Sequence, residues 1–271
     1  MFGKAGQQKL EVQKAGVVGA GGIGSQVCQA LAYTGVRDFV VVDDDTLEET
    51  NMNRVAGAFP SDIGRHKVEI AKRHIGQIKS DATVLAIPKN LRTHRAMQAL
   101  TECSVIFGCV DHDGPRLVLT ELAAAYSIPL IDAATEIFPE IEGQTFHFGG
   151  RVVIARPGDY CLFCAEQIDR ELAKEDLETP EVRAVRRQHG YGVGKDNPAP
   201  SVFALNGIIA NMAIMEFIVM TTGVRQTARK LTYKGDRGVV TSNNTANPDC
   251  FTCANCGQGE GANIWRYVLG A

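Results

Sequence analysis

The chain has 271 residues, 45% of them hydrophobic and 22% charged, which is enough apolar material for a sizeable core. A formal net charge of −3 gives no electrostatic basis for binding nucleic acid or an anionic membrane. The polar stretch from Met1 to Leu10 shows no signal peptide, so a cytoplasmic location is expected.

In chain order, the first half alternates strand and helix signals. Val17–Val18 is a strand that leads into Gly19, Gly21, Gly22 and Gly24, and residues 25–33 have helical composition. A strand, a glycine turn and a helix form a cradle for phosphate, because glycine lets the backbone approach the ligand and the helix start offers free N–H groups. Residues 39–43 form the second strand and end on Asp43, about 20 residues on, where a nucleotide fold holds a ribose hydroxyl. Taken alone, this fingerprint leaves NAD(P) and ATP both open.

A helix follows over 66–78, with Val68, Ile70, Ala71, Ile75 and Ile78 at near-helical spacing. Strands at 83–87, 105–110 and 129–133 alternate with helices at 93–100 and 114–126. The expected fold class is therefore α/β: a Rossmann-like, mostly parallel sheet covered by helices. The pattern then changes. Residues 143–156 predict antiparallel strands across a glycine turn at Gly149–Gly150. A charged helix near 166–174 and a polar stretch over 175–200, read as a loop, come next. Residues 202–220 are the most apolar segment, but Asn206, Gly207, Asn211 and Glu216 favour a buried or interface helix over a membrane span. A last strand is expected at 230–234. The whole is expected to be one unit over 1–271, with 1–135 as its nucleotide-binding half and 136–271 as its second half.

The residues after the strands decide between nucleotides. An ATP-using site needs cations on the phosphates and an acid for Mg²⁺. Asn51 and Arg54 follow the second strand, Lys67 opens the next helix, and Asp111 and Arg116 follow the fourth strand, all around one crevice. Asp44 and Asp45 are expected to be solvated loop acids, and His112 a surface residue.

The eight cysteines carry a further signal. Cys161 and Cys164 form one Cys-x-x-Cys pair, and the tail offers Cys250/Cys253 or Cys253/Cys256 as a second. Four thiolates suit a structural Zn²⁺, with a redox dithiol as the rival reading. Cys28, Cys103 and Cys109 sit in apolar contexts and are read as core residues.

The ordered set resembles the ThiF/MoeB/HesA-type adenylyltransferases, prokaryotic relatives of ubiquitin-activating enzymes. It runs Gly-x-Gly-Gly-x-Gly-Ser, then Asp-x-Asp with Asn-x-x-Arg, then Gly-x-x-Lys, then Asp with Arg five residues later. Gly6-Gln-Gln-Lys-Leu10 also resembles the segment before that family's first strand. The resemblance implies that Gly21 and Gly22 lie against ATP phosphates, Asp43 binds the ribose, Asn51, Arg54 and Lys67 contact phosphates, and Asp111 helps hold Mg²⁺. Arg54, Lys67 and Asp111 are the implied catalytic set. The tail Asn247-Pro-Asp-Cys-Phe-Thr-Cys253 resembles the family's ending, which selects Cys250 and Cys253 to join Cys161 and Cys164.

The implied activity is ATP-dependent adenylation of the C-terminal carboxylate of a small ubiquitin-like or sulfur-carrier protein ending in glycine, by a homodimer. An NAD(P)-dependent oxidoreductase, a non-catalytic scaffold, and adenylation of a peptide or small-molecule carboxylate are the alternatives. Two features depart from the family pattern. Residues 165–200 contain no cysteine for a thioester, and no arginine precedes Arg37 to reach a partner subunit's ATP.

Overall fold

Short apolar runs build the centre of the molecule, whose computed structural model describes residues 3–138, 147–178, 201–245 and 249–269. Strands β1 (Lys14–Val18), β2 (Asp38–Val42), β3 (Thr83–Ile87), β4 (Val105–Gly108) and β5 (Leu130–Phe138) are parallel. Strands β6 (His147–Ala155), β7 (Lys230–Lys234) and β8 (Val239–Asn243) continue the same sheet antiparallel. The strand order is β3-β2-β1-β4-β5-β6-β7-β8, so the Rossmann-like class holds, with its antiparallel extension.

The central strands β1, β2 and β4 are mostly apolar because both their faces are covered. Val17, Val41 and Phe107 face one core, which is closed by α1 (Gly3–Glu11), α2 (Gly22–Thr34), α4 (Lys67–Ile78) and α8 (Phe203–Thr222). Val18, Val40, Val42 and Ile106 face the other, under α5 (His94–Thr101), α6 (Asp113–Ala125) and the C-terminal tail. The described residues also form the short helices α3 (Glu49–Met52), α7 (Arg170–Leu177) and α9 (Phe251–Ala254). The apolar α8 packs on α2, β5 and β6 and buries Ile209, Ala213 and Phe217 among others.

Several boundaries differ from expectation. The glycine pair does not turn: Gly149 and Gly150 lie in mid-strand in β6. A Cβ at Gly149 would sit 2.2 Å from the Tyr233 carbonyl oxygen, and one at Gly150 2.5 Å from that of Ala134. Close packing between strands therefore demands glycine there, and the segment joining β5 to β6 lies outside the described residues. β5 runs on to Phe138, well past residue 133, because pairing with β6 carries it beyond its parallel neighbour. The charged helix is shifted to Arg170–Leu177, where Asp169 caps it by accepting from the Glu171 and Leu172 amides. Residues 179–200, with Arg183, Arg186 and Arg187, lie outside the described residues. β8 was not legible: it is exposed along its length and lacks an apolar face.

Candidate active site

Strand order reverses between β1 and β4, so the loops after these two strands open a crevice at the carboxyl end of the sheet, where α/β folds bind ligands. The glycine loop leaves β1 there. Gly19 has φ +87° and passes so close to β4 that a Cβ would lie 2.5 Å from the Cys109 carbonyl oxygen. Helix α2 begins at Gly22, with Gly21 as its N-cap and no side chain capping it. Its first amides are thus open to an anion.

The two central glycines have different jobs. A Cβ at Gly21 would meet nothing within 4 Å, so that position opens to the crevice. A Cβ at Gly22 would lie 2.3 Å from Nδ2 of Asn206. Helix packing, more than ligand approach, demands glycine at 22. Asn206 is 1% exposed; its amide donates to Ser201 Oγ and accepts from Thr135 Oγ1. Beside it Gln26 donates to the Phe203 carbonyl oxygen, fastening the start of α8 to α2. The sequence signal for Asn206 was a polar residue in an apolar helix, and it was not read as part of the site.

Asp43 directly follows β2 and ties itself to the glycine loop. Its Oδ2 accepts from the Ala20 amide at 2.6 Å and its Oδ1 from the Asp45 amide at 2.8 Å. Burial raises its pKa above the usual carboxylate range, while the Lys67 charge and these hydrogen bonds oppose the rise. Lys67 is buried at the first position of α4 and places Nζ 2.6 Å from Asp45 Oδ2. Asp45 is therefore not merely solvated, as its sequence position suggested; it is the counter-ion of Lys67. Asp44 is an exposed acid that accepts from Asn90 Nδ2.

Asn51 is buried in α3, and its side-chain oxygen accepts from the Glu48 amide in a capping box. Just beyond α3, Arg54 donates to the Thr50 carbonyl oxygen and meets no carboxylate among the described residues. Its guanidinium retains donors for a ligand. Asp111 follows β4 with its side chain 88% exposed, 3.7 Å from His112 Nε2. The loops after β1, β2 and β4 and the start of α4 thus bring Gly21, Asp43, Arg54, Lys67 and Asp111 to the same end of the sheet.

The cysteines form a second centre away from the glycine loop. The Sγ atoms of Cys161, Cys164, Cys250 and Cys253 lie within 4.8 Å of one another. The individual separations are 3.8 Å for Cys161–Cys164, 3.5 Å for Cys161–Cys250 and 3.6 Å for Cys164–Cys253. Four sulfurs bonded tetrahedrally to zinc at its usual distance stand about 3.8 Å apart, so the donor set fits that ion. Cys256 is not part of the group. Burial pushes the Cys161 thiol up to about 12. Cys250 is buried too, yet hydrogen bonds from its neighbours bring it below its ordinary value. Burial also raises Cys28 and Cys103 to about 12 and Cys109 well above its usual value, which makes them poor nucleophiles.

The ThiF family pattern matches residues 1–253. The chain belongs to the ThiF family. Among curated proteins, it is 28% identical over 162 residues to the SAMP-activating enzyme E1 of Haloferax volcanii, covering 60% of this chain and 56% of that protein. It is 27% identical over 152 residues to the sulfur carrier protein ThiS adenylyltransferase of Escherichia coli, covering 56% and 57%. It is 29% identical over 128 residues to the adenylyltransferase and sulfurtransferase UBA4 of Meyerozyma guilliermondii, covering 47% and 30%. The matched region thus spans little more than half of these relatives, or less. Among solved structures, Escherichia coli MccB with AMPCPP and MccA superposes with a TM-score of 0.70 at 21% identity, covering 92% of this ThiF-family chain and 69% of that one. That likeness establishes the fold.

Proposed function

We propose that this ThiF-family chain is an ATP-dependent adenylyltransferase acting on the C-terminal carboxylate of a small ubiquitin-like or sulfur-carrier protein. The observation that carries the reading is the convergence of an uncapped glycine-loop helix, the Asp43 carboxylate and the cations Arg54 and Lys67 beside one crevice. The names of the Haloferax and Escherichia relatives support the substrate class. Residues 1–271 form one adenylation domain in this reading, with the nucleotide in the half over 1–135 and the carrier protein bound mainly by 136–271.

In the reaction, a carboxylate oxygen attacks the α-phosphorus of ATP, forming an acyl–phosphate bond while the bond to pyrophosphate breaks. No general base is needed, because a C-terminal carboxylate is ionised at neutral pH. The barrier is electrostatic: two anions must meet, and negative charge grows on the leaving pyrophosphate. Gly21 and the α2 amides hold the phosphates, with Gly22 fixing where that helix begins. Asp43 accepts from the ribose hydroxyls, Asn51 sets the α3 turn beside the phosphates, and Arg54 and Lys67 neutralise the developing charge. Asp111, 88% exposed and with the His112 ring 3.7 Å away, would hold Mg²⁺, which would supply further charge on the phosphates. The Cys161, Cys164, Cys250 and Cys253 set holds a structural Zn²⁺ that ties the tail to the loop after β6. Ile208 and Met215 expose apolar side chains on one face of α8, which serves as part of a homodimer contact.

ATP–pyrophosphate exchange tests the reading. Exchange that depends on a carrier protein ending in glycine supports it. ATP binding without exchange for any carrier would reject the substrate class, and exchange with a free peptide carboxylate alone would move the substrate to that class. A nicotinamide-dependent spectral change on NAD(P)H binding would favour the oxidoreductase instead.

A further inference from the structure

Beneath the Asp111 loop lies a buried charge cluster that the reaction above does not use. Asp132 of β5 is 1% exposed, and neither of its oxygens has a hydrogen-bond partner among the described residues. Arg116 of α6, itself buried, places Nε 3.6 Å from Asp132 Oδ1; Arg151 of β6 places Nη2 3.4 Å from Oδ2. Arg116 has two further contacts. Its Nη2 donates to the Val110 carbonyl oxygen at 2.9 Å, and its Nη1 donates to Asp113 Oδ1 at 2.9 Å. Those two acceptors flank Asp111. Asp113 also accepts from the Asp169 amide, which joins the loop to the start of α7. Lys230 and Glu136 are the remaining charges that act on Arg151 from neighbouring strands.

Stability alone does not account for such a cluster, since buried ion pairs are commonly replaced by apolar side chains at no loss. A guanidinium is a rigid fork, however, so fixing its Nε edge fixes the direction of its other donors. We infer that Asp132 is a positioning residue, which orients Arg116 so that its fork fastens the Val110 carbonyl and Asp113 on either side of Asp111, and so fixes the loop that presents the exposed Asp111 carboxylate to the Mg²⁺ of the nucleotide. Arg151 balances the second negative charge: Asp113 and Asp132 face Arg116 and Arg151. At 3.6 Å the Nε–Oδ1 contact is an ion pair rather than a hydrogen bond, so Asp132 acts on Arg116 by charge attraction. This inference rests on the adenylation reading for the presence of Mg²⁺ and nucleotide at Asp111.

The test reads the thermal shift produced by AMPCPP, with and without Mg²⁺, in the full chain. Asp111→Asn sets the signature of a lost metal ligand. Asp132→Asn leaves two arginines facing one acid, so the charge-balanced pair Asp132→Asn/Arg151→Gln is measured as well, together with Arg116→Lys. We expect the Mg²⁺ needed for the half-maximal shift to rise at least fivefold in the balanced pair and in Arg116→Lys, while the shift without Mg²⁺ stays at the wild-type value. A wild-type Mg²⁺ requirement in the balanced pair would overturn the positioning role while leaving the adenylation reading intact. Absence of any nucleotide-induced shift in the wild-type chain would overturn both.

Discussion

Substituting alanine at two adjacent glycines should separate folding from ligand binding. At Gly22 the new methyl would lie 2.3 Å from Asn206 Nδ2, 3.1 Å from its Cγ and 3.4 Å from Ser201 Oγ. Asn206 cannot swing clear without giving up its bonds to Ser201 and Thr135 inside the packed α2–α8 contact. Overpacking of this kind costs about 1–3 kcal/mol. Replacing glycine by alanine in a helix returns at most about 1 kcal/mol, and less in the first turn. The net loss of about 1–2 kcal/mol should lower the melting temperature by about 2–8 °C in a chain of this size. At Gly21 the methyl meets nothing within 4 Å and points to the crevice, so Gly21→Ala should melt like the wild type and bind ATP at least tenfold more weakly. Thermal melting and ATP titration of both variants, with Gly22→Ala/Asn206→Ala as a double-mutant cycle, decide the matter. The double variant should lose less stability than the sum of the two single changes. A Gly22→Ala protein that melts like the wild type, or a cycle with no coupling energy, would refute the packing argument.

Alanine at Arg54, Lys67 or Asp111 should reduce pyrophosphate exchange by about 10²–10³, the usual cost of losing one charge-stabilising group, with little change in the melting temperature for the exposed Asp111. Burial raises the Asp43 pKa and Lys67 opposes it, so the folded chain holds this proton more tightly than the unfolded one, and this group's contribution to stability falls as pH rises through the raised value. Lys67→Met removes an opposing charge, and the acid limb of ATP binding should therefore move to higher pH; an unmoved or lower limb in the binding profile counts against the Asp43 assignment. Zinc analysis by mass spectrometry should give one ion per chain, lost in Cys161→Ser and Cys250→Ser and retained in Cys256→Ser, since the Cys256 sulfur stands outside the cluster.

The sequence by itself determined the alternation of strands and helices, the parallel half of the sheet and the family. These are local properties: short apolar runs buried on both faces, glycines in a strand-to-helix turn, and polar residues just beyond strand ends. It also placed Asp43, Arg54, Lys67 and Asp111 at positions that the fold gathers at one end of the sheet, because strand ends share that edge in any parallel arrangement.

Tertiary structure decided the rest, wherever a residue's role depends on what stands opposite. Gly149 and Gly150 read as a turn because glycine permits one, but neighbouring strand carbonyls require their small size instead. Gly22 is expected against a phosphate, and only the approach of α8 shows a second demand for glycine there, since Asn206 fills the space a side chain would need. Asp45 looked like a solvated acid until Lys67, 22 residues away, was found against it. The choice between Cys250 and Cys256 could not be made from spacing, since both pair equally with Cys253; folding brings Cys250 within 3.5 Å of Cys161. Local pattern follows from backbone geometry and burial. Partnership across the fold depends on which surfaces meet, and that is set only when the whole sheet and its helices have packed.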